Sequence, residues 1–181
     1  TVMARDPSRD VAVISVKPGR GGLLPSPDAP RLGAEVWAFG APLGVEFSVT
    51  EGRISALQRQ VEPAVPILML QHDAAVNPGS SGGPLVDDAG ALVGMNAQIA
   101  DGSRMFVGIA YAIPARDLAR SVGALVDGTL APLPKLGLTA RVFNRQLAEA
   151  LDIPATGLLV DRVAPGDLAE RNRANHQRHR L

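Results

Sequence analysis

The chain has 181 residues, 46% hydrophobic and 20% charged, with 18 basic side chains balancing 18 acidic ones. Apolar residues in that proportion support one buried core of ordinary size and a smaller appendage; the charge balance excludes a net field drawing the whole molecule to nucleic acid or an anionic membrane. With no cysteine, a disulfide framework, a thiolate metal centre and a cysteine nucleophile are excluded together, and no apolar run reaches the ~20 residues that cross a bilayer as a helix.

Short apolar runs divided by Gly, Pro and Asp fill the first two thirds: VAVISV at 11–16, EVWAFG at 35–40, SVTEGRISAL at 48–57, ILML at 67–70, GPLVDDAGALVGMNAQI at 83–99 and MFVGIAYAI at 105–113. Their length, their Val and Ile content and the turn signals between them predict strands of an antiparallel barrel or sandwich. Asp87, Asp88, Ala89 and Gly90 supply the chemistry of a hairpin turn. At 116–128, Leu118, Val122 and Leu125 recur at helical spacing and Gly128 stands where a helix ends. APLPKLG at 131–137 reads as a linker into a second unit, where Asn144 caps a short helix, RQLAEALD, that stops before Pro154. GLLVDRV at 157–163 is a further strand, and no repeat is visible. The first residue is Thr1 rather than methionine, so the start of the gene product is expected upstream.

The stretch NPGSSGGPLVDDAGALVG at 77–94 crowds Ser81 between Gly79, Gly82 and Gly83. A Gly/Ser run is commonly a linker, but this one lies between DAAVNP and a buried hairpin pattern. A serine attacking a carbonyl needs backbone N–H groups converging on the developing oxyanion, and a glycine-rich turn presents them unobstructed. Gly79 to Ser81 suits that chemistry.

QHDAAVNPGSSGGPLVDDAGALVGMN resembles the nucleophile segment of the HtrA (DegP-like) trypsin-fold serine proteases, which read Q-T-D-A-A-I-N-x-G-N-S-G-G-P-L. RDPSRDVAVISV is similar to the segment carrying the triad aspartate, LGAEVWAFGAPLGVEFSVTEGRIS to the glycine-rich strand and activation-loop region, and GIAYAIPARDLAR to the closing segment, all in family order. The resemblance implies an all-β, trypsin-like barrel over residues 1–130, mostly the C-terminal barrel with its closing helix and the end of the first barrel. A partial PDZ-like α+β segment then covers 131–170, and a basic, disordered tail 171–181.

By the same resemblance Ser81 is the nucleophile and Asp10 the carboxylate that supports the catalytic histidine, while Gly79, Ser80 and Ser81 form the oxyanion hole. Without it, Asp10 reads as a turn residue and Asp73 as a structural acceptor. The family order His, Asp, Ser places the histidine upstream of Asp10, whereas the only histidines are His72, His176 and His179. The base is therefore expected outside this chain, which alone should have little or no activity. Ser80 replaces the usual Asn, and it cannot pair with a freed N-terminus as the aspartate of digestive trypsins does. Zymogen-style activation is thereby disfavoured, and reversible ordering of loops 41–53, 73–80 and 98–104 is implied instead.

By the same resemblance the specificity pocket falls on Ala75, Val76, Asn96 and Ala97. With no carboxylate at its floor it cannot compensate the desolvation of Lys or Arg, so cleavage after small or branched aliphatic residues is expected. The resemblance implies unfolded polypeptide substrates, a homotrimer for the complete protein, a periplasmic or membrane-attached location, and neither cofactor nor metal. Leu136, Gly137 and Leu138 would form the loop that takes a peptide's terminal carboxylate. After VAPGDLAE the family continues with an apolar stretch, whereas this chain gives RNRANHQRHRL, so peptide binding is in question; a short arginine-rich end is ordinarily solvated, and no nucleic-acid partner is expected. The competing reading is a non-catalytic remnant that keeps only peptide or partner binding.

Overall fold

A computed structural model describes residues 1–17, 19, 21–61, 67–99, 106–133, 137–142, 145–150, 152 and 158–170. The chain divides into two compact units, one comprising Thr1–Val61 with Ile67–Ala131, the other Glu62–Pro66 with Pro132–Leu181.

The first unit opens with a hairpin of β1 (Val2–Asp6) and β2 (Val11–Ile14). Six strands then close into a barrel: β3 (Glu35–Gly40), β4 (Ser48–Gln60), β5 (Leu68–His72), β6 (Pro84–Val86), β7 (Leu92–Ile99) and β8 (Ala110–Pro114). Their spatial order is β3-β4-β5-β8-β7-β6, with β3 pairing β6 to complete the ring. Every pairing around the ring is antiparallel. The mostly-β class and the trypsin-like barrel expected from the sequence are what the chain adopts.

Alternation explains the barrel. In β3, Val36 and Ala38 point inward and are buried, whereas Trp37 between them is half-buried. Ile54, Leu70, Leu85, Val93, Ala110 and Ala112 complete the interior. Alanine among larger aliphatics suits a six-stranded ring, whose narrow lumen is filled by side chains of mixed size.

A second cluster lies on the outside of the barrel, where Val11, Met69, Ile113 and Leu118 pack together with Met95, Tyr111 and Val122 at their edge. Leu118 and Val122 come from α1 (Ala115–Val126), the predicted closing helix, which lays its apolar stripe on the barrel. Gly128, with φ of 67°, follows the last turn in the left-handed conformation that ends a helix. Val11 ties the β1–β2 hairpin into the same cluster, so the segment bearing Asp10 is held by helix and barrel together.

Three sequence expectations are adjusted. β1 was not foreseen, because VMARD lacks an alternating pattern and gains its strand geometry from pairing with β2. The strand expected over 105–113 starts only at Ala110, after a turn at Gly108 (φ 87°). The strand expected at 48–57 is present and longer, β4 running from Ser48 to Gln60 and pairing with β3, so the loop implied over 41–53 is confined to 41–47 around the 3-10 turn Pro42–Gly44.

In the second unit β9 (Leu138–Val142) and β10 (Leu158–Val163) form an antiparallel pair, with α2 (Arg145–Ala150) between them in sequence. Leu136, Asn144 (the expected cap), Pro154 and residues 171–181 lie outside the described residues.

Candidate active site

Ser81 stands on the turn between β5 and β6, which its neighbours define bond by bond. Ser80 N–H donates to Asn77 O at 2.9 Å and Gly83 N–H to Ser80 O at 3.0 Å, folding residues 77–83 into two successive turns. The start of the hairpin is then laced to β7, since Gly82 N–H donates to Asn96 O at 2.8 Å and Asn96 N–H to Gly83 O at 2.9 Å. A side chain at Gly83 would collide with the carbonyl of Phe39 on β3. Gly79 has φ of 108°, a conformation that favours glycine.

Two amides in this turn are uncommitted. Among the described residues, neither Gly79 N–H nor Ser81 N–H has a hydrogen-bond acceptor. The peptide preceding each is held through its carbonyl: Pro78 O accepts from Leu43 N–H at 2.8 Å, and Ser80 O from Gly83 N–H. A trans peptide directs its N–H opposite to its C=O, so both donors point away from these anchors and remain free for a ligand oxygen.

The Ser81 hydroxyl is exposed and donates to Ala97 O on β7 at 3.1 Å. Ser80 faces the other way: it is buried, and its Oγ accepts from Asn77 N–H at 3.4 Å. Asn77 braces the turn from a distance, its Oδ1 accepting from Phe106 N–H at 3.1 Å. Neither that contact nor the Leu43–Pro78 bond was read from the sequence. Asparagine in a turn is a weak cue, and a backbone bond between distant segments leaves no residue signature.

Asp10 lies at the end of the β1–β2 turn, exposed, with φ of 55° and its N–H directed at Pro7 O at 3.4 Å. Its side chain forms no hydrogen bond or ion pair with the described residues. Asp6 accepts instead from Ser8 Oγ (2.6 Å), Ser8 N–H (2.9 Å) and Arg9. The Ser8 hydroxyl, aided by Arg9, holds its carboxyl below the ordinary range against the opposing effect of partial burial.

Of the expected pocket residues, Ala75 is exposed and its carbonyl accepts from Thr50 Oγ1 at 2.7 Å, while Ala97 is half-buried beside Ser81. Val76 and Asn96 are buried, Val76 within the barrel core. In the second unit Gly137 adopts φ of 70° and accepts from Ala164 N–H at 2.6 Å, and Leu138 begins β9.

His72 is sealed in the barrel at 0% exposure, and among the described residues its two ring nitrogens and Asn96 Oδ1 meet no partner at hydrogen-bonding geometry. Burial pushes its pKa down to about 4, against the opposing influence of Asp73 and Asn96. No described histidine is hydrogen-bonded to Ser81. His176 and His179 lie outside the described residues. Among those described, no cluster of His, Cys, Asp and Glu is suited to hold a metal.

A closed antiparallel barrel carrying a glycine-bracketed serine beside free amides defines a class, the trypsin-fold peptidase domain, and the family model described as "Trypsin-like peptidase domain" matches residues 1–95. Among curated proteins, the chain is 32% identical over 173 residues to a probable periplasmic serine endoprotease, DegP-like, of Marinomonas sp. (strain MWYL1), covering 94% of this chain and 37% of that protein. It is 35% identical over 175 residues to the protein of the same description from Pseudomonas putida (strain GB-1), covering 93% and 36%. The solved structure titled "HtrA-type protease AlgW with decapeptide" aligns at a TM-score of 0.71 with 34% identity, over 94% of this chain and 54% of that one. The corresponding tripeptide complex aligns at 0.73. The chain belongs to the trypsin-like peptidase family, within its HtrA (DegP-like) branch. It spans little more than a third of the curated relatives' length.

Proposed function

We propose that this chain contributes the nucleophile, oxyanion hole and supporting acid of an HtrA-type serine endopeptidase. The observation that carries this reading is the pair of uncommitted amides, Gly79 and Ser81, on the turn that exposes the Ser81 hydroxyl. Ser81 Oγ attacks the scissile carbonyl carbon while its proton passes to a histidine outside these residues, and the two amides receive the negative charge on oxygen. Collapse expels the amine, which takes that proton, and water then hydrolyses the acyl-enzyme by the same route. Asp10 keeps the imidazole in the tautomer that accepts the proton.

Substrates are unfolded or damaged polypeptides cleaved after small or branched aliphatic residues. The apolar Ala75 and Ala97 near the turn support that preference, since neither can neutralise a cation. Relatives described as periplasmic proteases support an extracytoplasmic location, and peptide complexes of HtrA-type relatives support peptide engagement. Residues 131–170 are assigned to a partial PDZ domain with Leu136, Gly137 and Leu138 at its carboxylate loop, and the complete protein to a homotrimer.

The test is kcat/KM of the full-length protein on peptides differing only at the residue before the cleaved bond. Val or Ala should exceed Arg by at least about tenfold, the scale of a single pocket mismatch; preference for Arg would end the specificity reading. The second reading, binding without catalysis, is favoured by the lack, among the described residues, of a histidine bonded to Ser81. It would be upheld by a folded full-length protein that binds these peptides and cleaves none.

A further inference from the structure

The turn that carries Asp10 makes a contact that the catalytic reading leaves unused. Asp6 gathers Ser8 and Arg9 around its carboxylate, and the Arg9 and Asp6 side chains are only 16% and 12% exposed. Arg9 then extends its second nitrogen, Nη2, to the carbonyl of Ala131 at 2.9 Å, joining residues 122 positions apart. Ala131 ends the segment leaving α1 and precedes Pro132. A residue before proline is restricted to extended backbone, so the acceptor carbonyl is fixed in direction.

Asp10 depends on such anchors. Its side chain has no partner among the described residues, its own N–H makes only the long 3.4 Å bond to Pro7, and its backbone is left-handed at φ 55°. On one side Val11 is locked into the cluster with Met69, Ile113 and Leu118. On the other, Arg9 makes the only side-chain hydrogen bond from the turn to a residue outside the hairpin among the described residues.

We propose that Arg9 is a positioning residue for Asp10: by bridging Asp6 and the Ala131 carbonyl it pins the β1–β2 turn to the end of the helical segment and sets the direction of the supporting carboxylate. The inference rests on the assignment of Asp10 as that carboxylate. A guanidinium suits the task because its planar fork engages two acceptors at once, whereas an ammonium is a point charge on a looser stem.

The test uses the full-length protein with Arg9→Ala, Arg9→Lys and Pro132→Gly, assayed for peptide hydrolysis across pH. Arg9→Ala should lower kcat about tenfold with KM within about twofold, because a misdirected acid weakens support of the imidazolium without touching substrate. The acid limb of the profile should move to lower pH, since a carboxylate that drifts away no longer raises the histidine pKa. Arg9→Lys should recover part of kcat, and Pro132→Gly should reproduce a milder form of the loss. A merely structural role would reduce the folded fraction and leave the acid limb in place. Unchanged kcat and pH profile in Arg9→Ala would overturn the proposal.

Amide exchange separates this from failure of the protease reading. If the wild-type protein hydrolyses nothing, that reading falls, and the positioning role stands or falls on exchange at Arg9, Asp10 and Val11. Arg9→Ala should accelerate it about tenfold or more with β5 and β7 unaffected, and equal rates would refute it.

Discussion

The backbone N–H of Leu43 donates to the carbonyl of Pro78 at 2.8 Å, and this bond holds the peptide whose N–H, that of Gly79, is proposed for the oxyanion hole. Leu43 lies in the 3-10 turn Pro42–Gly44 with φ of 58°, a conformation closed to proline. Leu43→Pro removes the donor and cannot occupy the turn. Turnover and Ser81 acylation should fall about 10²-fold, the usual effect of losing one oxyanion donor. Because proline cannot adopt that φ, the turn must rearrange and the thermal midpoint should fall as well, so acylation is compared per folded molecule. Wild-type acylation rates in a folded Leu43→Pro protein would show that the Gly79 amide is oriented by something else.

Gly83 is a matter of space. A methyl group there would run into the backbone of Phe39, which cannot swing aside as a flexible side chain would. Gly83→Ala should destabilise the first unit by about 1–3 kcal/mol, the ordinary range for overpacking, measured as a lower denaturant midpoint at unchanged slope. Gly90, at the tip of the β6–β7 hairpin, has open space around it; its φ of 75° makes Gly90→Ala a control for backbone strain without collision.

His72 makes stability depend on pH. Its pKa is about 6.5 as an unperturbed group and about 4 in the folded barrel, where burial disfavours the charged ring. The unfolded state therefore binds the proton first. The contribution is complete above pH ~6.5 and declines as pH falls toward 4, by about 3 kcal/mol in all. Asp73 beside it and Asn96 act against the shift. Replacing His72 by leucine should flatten the unfolding free energy between pH 6.5 and 4. A wild-type protein equally stable at both ends of that window would contradict the assignment.

Much of the barrel was legible because its signals are local. Asp87 through Gly90 specify the β6–β7 turn, and Asp87 Oδ1 accepts from the amides of Ala89 (3.1 Å) and Ala91 (2.8 Å), as an aspartate opening a turn should. α1 was legible from Leu118, Val122 and Gly128. Closure of β3 against β6 was not, since pairing Trp37 with Val86 joins residues far apart in sequence and no periodicity encodes a partner. The site divides the same way. Ser81 stood out through its glycines, while Leu43, Asn77 and Arg9 act through backbone bonds or long-range contacts that leave no spacing behind. Val76 and Asn96 illustrate a further limit, because a resemblance names pocket positions but does not say that the side chains there are buried.

The central claim is that Ser81 is the acylated residue, and peptide mapping of the full-length protein after reaction with a fluorophosphonate tests it most directly. The account predicts a single adduct on Ser81, lost in Ser81→Ala and retained in Ser80→Ala. An adduct on another residue, or labelling undiminished in Ser81→Ala, would contradict it.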